Sequence, residues 1–149
     1  MSEFSERMGF EAGNNFKQGF NCSEAIVETF RKQAGVDIDD NAFRLCSGFG
    51  GGIGHAANIC GALVGCTMVI STLVGRSHPS EKSLHDIYPI SKEFHDRFHQ
   101  EFGSTLCRDL MPYEFDTREH LKNCLKLTNR VAKLLAEFLE EKELLPRSS

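Results

Sequence analysis

Six cysteines are the residues of this sequence with the most chemistry to offer, and three of them fall where a helix is predicted to begin. Asn21 is followed three residues later by Glu24, a capping-box pattern that makes Cys22 the first residue of a helix. Polar cap residues also precede Cys60 and Cys107 and place them in first turns. Unpaired N–H groups and the dipole at such positions stabilise a thiolate, which is the form that binds metal and gives up electrons.

A fourth cysteine, Cys124, lies in the second turn of the last predicted helix, four residues after His120. Side chains four residues apart point to the same side of a helix, so this pair could supply two ligands to one metal ion. For the pair taken alone we favour the alternative, a buried Cys124 beside a solvated His120, because cysteine is often simply buried. His55, which is close to Cys60 in sequence, is a second-rank candidate for ligation or proton transfer.

The remaining cysteines and a pair of histidines are weaker candidates. Cys66 lies about 240° around a helix from Cys60, so we expect it to pack in the core. Cys46 precedes a glycine stretch and could either belong to the site or pack in the core. His95 and His99 have a metal-binding spacing, but the Glu of the zinc-protease motif is missing, so solvated histidines are the favoured interpretation. No C-x-x-C motif occurs, which excludes a thioredoxin-type motif and a zinc ribbon.

Glycines lie close to these cysteines in the sequence. The stretch 48–54 reads Gly-Phe-Gly-Gly-Gly-Ile-Gly and cannot form a regular helix, because glycine costs about 1 kcal/mol per residue there. We predict a loop whose backbone approaches whatever the cysteines hold. Two glycines four residues apart on the next helix would leave a groove for a packed helix or a bound group. The candidate cofactor-binding glycines are Gly50, Gly51, Gly52, Gly61 and Gly65.

The pattern of apolar residues predicts an all-α fold, a bundle of five or six helices. Residues 47–75 contain no Asp, Glu, Lys or Arg, and the second part, about 59–74, is apolar on every face. Such a segment is either a membrane span or a central helix buried by its neighbours. Polar residues within it and amphipathic helices predicted at 6–18, 81–102 and 117–145 favour the buried central helix.

Composition limits the organisation of the chain and its partners. With 149 residues, the sequence fits a single domain, 1–149, able to bury a core without disulfides. The formal net charge is −4, with both signs mixed along the chain and no basic run. We therefore expect no nucleic-acid partner. The exposed faces of the predicted helices 81–102 and 117–145 could support a homodimer, but nothing in the sequence requires one.

The N-terminus indicates where the protein works. It lacks a basic region followed by an apolar stretch, so neither a secretory nor a twin-arginine signal is predicted. The simplest location is the cytoplasm, where thiols stay reduced. The cysteines are then expected to be ligands, redox centres or buried hydrophobes rather than structural disulfides.

Taken together, these motifs resemble the C_GCAxxG_C_C family of redox-active proteins over nearly the whole chain. The family has four cysteines in a fixed order, and the second of them begins the motif Cys-Gly-Ala-x-x-Gly. In this sequence the four correspond to Cys22, the motif at 60–65, Cys107 and Cys124. One departure is Ile59, which stands where the family name implies glycine. The resemblance implies a redox role, with a prosthetic group such as an iron–sulfur cluster in some members. Cys46 and Cys66 fall outside the family pattern.

We expect Cys22, Cys60, Cys107 and Cys124 to converge on one site in a redox protein with an unidentified protein partner. Four thiolates suit an iron–sulfur cluster used for electron transfer, or alternatively a tetrahedral zinc ion. His120 and His55 are additional candidate ligands. A second hypothesis is thiol–disulfide exchange without metal, through pairs such as Cys22 with Cys60. A third is an interaction module in which the cysteines bind structural zinc or only pack.

Overall fold

The computed structural model describes residues 2–146, and this part of the chain is helical, as predicted. Five helices have at least 12 residues, and short turns connect them. The helices are α1 (Glu3–Lys17), α2 (Cys22–Gln33), α3 (Asp40–Arg44), α4 (Gly50–Ile53), α5 (Gly61–Val74), α6 (Leu84–Phe102), α7 (Cys107–Leu110) and α8 (Arg118–Glu141), with a 3₁₀ turn at Ser47–Phe49. The predicted all-α bundle is confirmed.

The apolar segment forms α5, which packs against α2, α6 and α8. Its inward side buries residues such as Leu63, Val69 and Ile70 almost completely. On its other side Ser71 and Thr72 are exposed, so the neighbouring helices cover most of α5 but not all of it. Within residues 2–146, no helix combines the length and the apolar character that a membrane span requires.

Close backbone contact joins α2 to α5. A Cβ added at Gly65 would lie 2.8 Å from the carbonyl oxygen of Ser23 and 3.2 Å from the Cβ of Ile26. Only a residue without a side chain fits this position, so the glycine lets the two helices approach each other. The predicted capping box at the start of α2 is confirmed, since Asn21 and Glu24 each accept a hydrogen bond from the other's backbone N–H.

The glycine-rich stretch is not a regular helix, as predicted. α4 has helical hydrogen bonding, but residues 51–55 all have positive φ, between 57° and 71°. The turn is therefore left-handed, a conformation that costs about 1–2 kcal/mol for each residue with a side chain. Ile53 and His55 both carry that cost. Ala57 also has a positive φ, of 58°, so strain is concentrated in this segment.

A short extended pairing follows the left-handed turn. Ile59 and Leu106 form an isolated antiparallel bridge, flanked by hydrogen bonds from Cys60 N–H to Thr105 O (2.8 Å) and from Cys107 N–H to Asn58 O (2.6 Å). Because the backbone at 59 and 60 is extended, α5 begins at Gly61 and not at the predicted residue 59. The pairing joins the start of α5 to the start of α7.

We predict that Gly65→Ala lowers the free energy of unfolding by about 1–3 kcal/mol, because the new methyl group would force α2 and α5 apart. Gly13→Ala is the matched control. Gly13 is also buried in a helix, but an added Cβ there would make only an ordinary contact, 3.5 Å from Leu125. That control should raise the free energy of unfolding, by up to about 1 kcal/mol. Urea denaturation measures both changes, and equal effects of the two variants would contradict the close contact.

Candidate functional site

All four cysteines that the sequence singled out line one cavity of about 480 Å³. This volume lies within the range of about 300–1,000 Å³ that is usual for small-molecule and cofactor sites. The cavity walls come from α1, α2, the glycine-rich segment, the starts of α5 and α7, and α8. Beside the four cysteines, its polar and charged lining residues are Asn21, Ser47, His55, Asp116, His120 and Thr128.

Cys22 and Cys60 meet where α2 and α5 begin. Cys22 is the first residue of α2, and Cys60 is the N-cap of α5. A Cβ at Gly61 would lie 2.6 Å from the Cys22 sulfur, so the sulfur rests directly on the α5 backbone. The N–H of Ala62 interacts with both sulfurs. Both thiols therefore face unpaired N–H groups, the environment that the predicted helix starts implied.

Cys60 and Cys107 lie on the same face of the extended pairing. The residues on either side of the Ile59–Leu106 bridge alternate in direction, so the side chains of Cys60 and Cys107 point away from the bridged pair toward the cavity. They are diagonal neighbours across the two strands, a relation with Cα atoms about 7–8 Å apart. Both residues are buried, with 4% and 7% of their surface exposed.

Cys124 reaches the cavity from α8. With Cys107 and Met111 it forms a small buried cluster, against which Phe16 and Phe115 pack. The four sulfurs thus come from four separate segments. Cys107 is the diagonal neighbour of Cys60 across the extended pairing, and it also packs with Cys124. The sequence prediction that these cysteines converge agrees with their placement around one cavity, although their roles stay a prediction.

Burial raises the pKa of each of the four thiols. For Cys60 and Cys124 burial, together with the nearby Cys22, raises the pKa to about 12. For Cys107, burial and Cys22 act in the same direction. The pKa of Cys22 is also raised by burial, although N–H groups from Gly51, Ser23 and Ala62 oppose the increase. N–H groups at the starts of α2 and α5 therefore favour the thiolates of Cys22 and Cys60, whereas none acts on Cys107 at the start of α7. For all of these thiols desolvation outweighs the other effects.

No Lys or Arg is among the lining residues of the cavity, so no permanently charged cation balances a thiolate there. Its remaining walls are largely apolar. In the described part of the chain, no three His, Cys, Asp or Glu side chains are arranged to hold one metal ion. The four thiols thus line one cavity without forming such a group.

The two candidate histidines also line the cavity. The ring of His55 stacks on Phe115 with centroids 4.1 Å apart, and His120 meets that Phe115 ring edge-on. Nδ1 of His120 accepts the backbone N–H of Asp116 at 2.8 Å. This bond leaves Nε2 as the nitrogen that carries the proton in the neutral ring. Burial lowers the pKa of His120, with Asp116 opposing the change and His55 adding to it.

Three of the five candidate glycines line the cavity and two do not. Gly50, Gly51 and Gly61 line the cavity. Gly52 lies behind Cys107, because a Cβ there would be 2.6 Å from the Cβ of that cysteine. Gly65 is absent from the lining and packs against α2 instead. Of the two predicted uses of this glycine, a packed helix or a bound group, the structure therefore shows the packed helix.

The weaker candidates lie elsewhere. Cys66 is completely buried in the main core, and burial raises its pKa well above its ordinary value. Cys46 is also buried, and its thiol donates a hydrogen bond to Phe43 O at 2.9 Å. His95 and His99 are exposed on α6, where His95 interacts with Asp96. None of these four residues lines the cavity.

Met111, Phe115 and Thr128 are among the lining or neighbouring residues that were not identified from the sequence. Met111 follows Cys107 by four residues, and Thr128 follows Cys124 by the same interval. Extending the helical spacing from each cysteine would have found both residues. Phe115 lies in the loop before α8, and no sequence pattern indicated its stacking on His55.

Comparison with known proteins identifies the pattern formed by these residues. The model of the family described as "Putative redox-active protein (C_GCAxxG_C_C)" matches residues 20–138, a range that includes all four cavity cysteines. A protein of Archaeoglobus fulgidus, described as "Uncharacterized protein", is 21% identical over 150 residues, covering 95% of this chain and 97% of that protein. No solved structure matches the chain.

We predict that Gly52→Ala destabilises the site. Gly52 has φ 67°, and its added Cβ would lie 2.6 Å from both Asn58 N and Cys107 Cβ. The left-handed conformation alone costs about 1–2 kcal/mol with a side chain, and the clash adds to it. Gly48→Ala is the control, because nothing lies within 4 Å of a Cβ at that position. Urea denaturation compares the variants, and an unchanged free energy of unfolding for Gly52→Ala would contradict the described turn.

The raised pKa values predict an unusual pH dependence of alkylation in metal-free protein. Only the thiolate reacts with iodoacetamide, so an ordinary thiol, with a pKa of about 8.5, approaches its maximal rate above pH 9. For Cys60 and Cys124, whose pKa values are about 12, the rate should still rise tenfold per pH unit between 8 and 10. Peptide mass spectrometry after timed labelling follows each cysteine separately. A plateau below pH 9 would show that these thiols are not held protonated by burial.

Proposed function

The chain belongs to the C_GCAxxG_C_C family of redox-active proteins, and we propose that Cys22, Cys60, Cys107 and Cys124 hold an iron–sulfur cluster for electron transfer. The observation that carries this proposal is the placement of four thiols, from four segments, around one cavity that no Lys or Arg lines. When bound, such a cluster supplies one-electron redox chemistry and the positive charge that four buried thiolates require.

The arrangement of the sulfurs supports a cluster over a single zinc ion. Tetrahedral zinc would need all four sulfurs about 2.3 Å from one point. No three potential ligands in residues 2–146 have such an arrangement. A cluster holds its four cysteines further apart, because its irons and sulfides lie between them.

The electrostatics support ligation over thiol–disulfide exchange with an external protein. An attacking thiol needs a pKa near the ambient pH, and a low pKa usually comes from a neighbouring cation. Here the pKa values of Cys60 and Cys124 are about 12, and the cavity contains no Lys or Arg. A bound metal centre removes this obstacle, because a coordinating thiol is deprotonated outright.

The chain's own groups suit the binding of a charged sulfur centre. Backbone N–H groups of Gly51, Ser23 and Ala62 face the Cys22 sulfur, and Ala62 and Leu63 face the Cys60 sulfur. Such hydrogen bonds stabilise negative charge on sulfur and raise the reduction potential of a centre bound there. His120 and His55 lie at the same cavity and are further candidate ligands or proton carriers.

The test is to purify the protein without oxygen and measure iron and acid-labile sulfide per chain, together with the visible spectrum and the electron paramagnetic resonance of the reduced protein. We expect iron and sulfide in near-equal amounts and absorbance near 400 nm, about where thiolate–iron charge transfer occurs. Replacing any of the four cavity cysteines by serine should remove most of the iron or alter the spectrum.

Cys46→Ala is the matched control, since Cys46 is a buried cysteine that lies outside the cavity. Its iron and sulfide content should equal that of the unchanged protein. Protein that stays colourless and iron-free after anaerobic purification and reconstitution would overturn the proposal. A Cys22–Cys60 disulfide found in such protein would favour thiol–disulfide exchange instead, and stoichiometric zinc would favour the structural alternative.

A further inference from the structure

A groove lies on the surface where α1 packs against α8, next to the cavity that the four cysteines line. The two helices run antiparallel, because a Cβ added at Gly9 would contact Lys133 and one at Gly13 would contact Leu125. The groove follows this contact between the helices and has a volume of about 340 Å³. We call it the α1–α8 groove.

The charged side chains of the α1–α8 groove all have the same sign. Lys17, Lys126 and Arg130 line it and are exposed, and no Asp or Glu of residues 2–146 is among the lining residues. Arg130 meets Glu101 at 3.6 Å, whereas neither lysine forms an ion pair with an acidic side chain in the same range. The whole chain has a net charge of −4, so the groove differs in sign from the chain that carries it. The charge that complements the groove is negative.

An exposed aromatic ring lies in the groove two helical turns from Lys17. Phe10 precedes Lys17 by seven residues on α1, a distance of about 10 Å along the helix. It has 62% of its surface exposed. Leu125 adds further apolar surface, and Asn14 and Asn129 add amide groups. An aromatic anchor bordered by charged and amide side chains is typical of a protein interface rather than of a site for a small anion.

The groove adjoins the proposed redox centre through consecutive residues. Lys17 and Leu125 line the groove, and the residues directly before them, Phe16 and Cys124, line the cavity. Leu121, one helical turn before Leu125, also lines the cavity and is 50% exposed. A protein bound on this groove would therefore lie against the wall of the cavity to which Cys124 belongs.

We propose that the α1–α8 groove is the docking surface for the protein that exchanges electrons with the cysteine centre, and that this partner is a one-electron carrier with an acidic surface. Its carboxylates face Lys17, Lys126 and Arg130, and an apolar side chain packs on Phe10. One electron leaves the reduced carrier and enters the oxidised centre, and no covalent bond forms or breaks. The inference rests on the proposed function for the electron that is transferred, whereas the sign and position of the groove do not depend on it.

The properties of the groove favour an acidic protein over the other possible occupants. A nucleic acid carries a long row of phosphates, and a chain with a net charge of −4 repels it everywhere except at these three cations. A second copy related by twofold symmetry would place this groove against itself, with like charges facing each other. Electron-transfer complexes use small interfaces, usually below about 1,200 Å², which suits a groove between two helices.

The experiment uses flavodoxin, a flavin-containing one-electron carrier with an acidic surface, as the probe. The protein is purified without oxygen, and its iron content is measured in the same sample. NMR titration of the ¹⁵N-labelled protein with oxidised flavodoxin gives the Kd and the amides that shift. We expect saturable binding with the largest shifts in α1 and α8, weakened when salt is raised to about 0.15 M. Stopped-flow mixing with reduced flavodoxin gives the rate of electron transfer.

Two substitutions test the charge and the ring, each with a matched control outside the groove. Lys126→Glu should weaken binding roughly five- to thirtyfold, because an attraction becomes a repulsion. Lys32→Glu makes the same change in net charge at an exposed position on α2 and should have little effect. Phe10→Ala should weaken binding roughly three- to thirtyfold. Tyr88→Ala, which removes a ring that is 60% exposed on α6, should leave binding unchanged.

The electron-transfer rate should fall with the affinity in Lys126→Glu and Phe10→Ala, while their unfolding midpoints stay unchanged because both side chains are exposed. Equal weakening by Lys126→Glu and Lys32→Glu would show a general charge effect and overturn the proposal. So would a short DNA duplex that binds more tightly than flavodoxin and depends on Lys126. A dimer of this chain that Phe10→Ala dissociates would assign the groove to a second copy instead.

The iron measurement separates this inference from the proposed function. Flavodoxin binding that depends on Lys126 and Phe10 in iron-free protein supports the docking surface even where the cluster proposal fails. Protein with a full cluster that flavodoxin reduces at the same rate in every variant overturns the docking surface and leaves the cluster standing. An absence of saturable binding at low salt also overturns the docking surface.

Discussion

The close approach of α2 and α5 is the contact on which the candidate site depends. Gly61 and Gly65 carry no side chain on the surface that faces α2, so the Cys22 sulfur and the Ser23 carbonyl lie directly against the α5 backbone. The N-terminal ends of both helices therefore meet at one place, where their unpaired N–H groups face Cys22 and Cys60. A methyl group at either glycine would separate the helices and the two sulfurs together.

Cys107 and Cys124 are brought close to this contact by two other parts of the structure. The left-handed turn at 51–55 reverses the chain and brings 58–60 alongside 105–107, so Cys107 is held by backbone hydrogen bonds near the start of α5. Cys124 comes from the second turn of α8, which packs against α1. Strain in the turn is thus placed beside the site, where backbone strain often accompanies function.

Much of this arrangement could be predicted from local signals. Local signals predicted the bounds of the helices to within a few residues, because caps and periodicity are local properties. These signals are the capping box at Asn21, the charge-free apolar segment and the helical spacing of the last helix. The left-handed turn could be predicted only as a departure from helix, since the handedness of a glycine-rich turn depends on the contacts it makes. The extended pairing of Ile59 with Leu106 was not predicted, because one bridge leaves no period-two pattern.

The raised pKa values of the four thiols bear on what the cavity can bind. Four thiols in a buried cavity without a cation are more stable protonated, and their raised pKa values express that preference. Binding a metal centre must therefore release protons, so its affinity increases with pH. The N–H groups at the starts of α2 and α5 reduce this cost. The same lack of Lys and Arg that leaves the thiols poor nucleophiles is therefore consistent with the proposed role of these sulfurs as ligands, because a bound metal centre would supply the positive charge that the thiolates need.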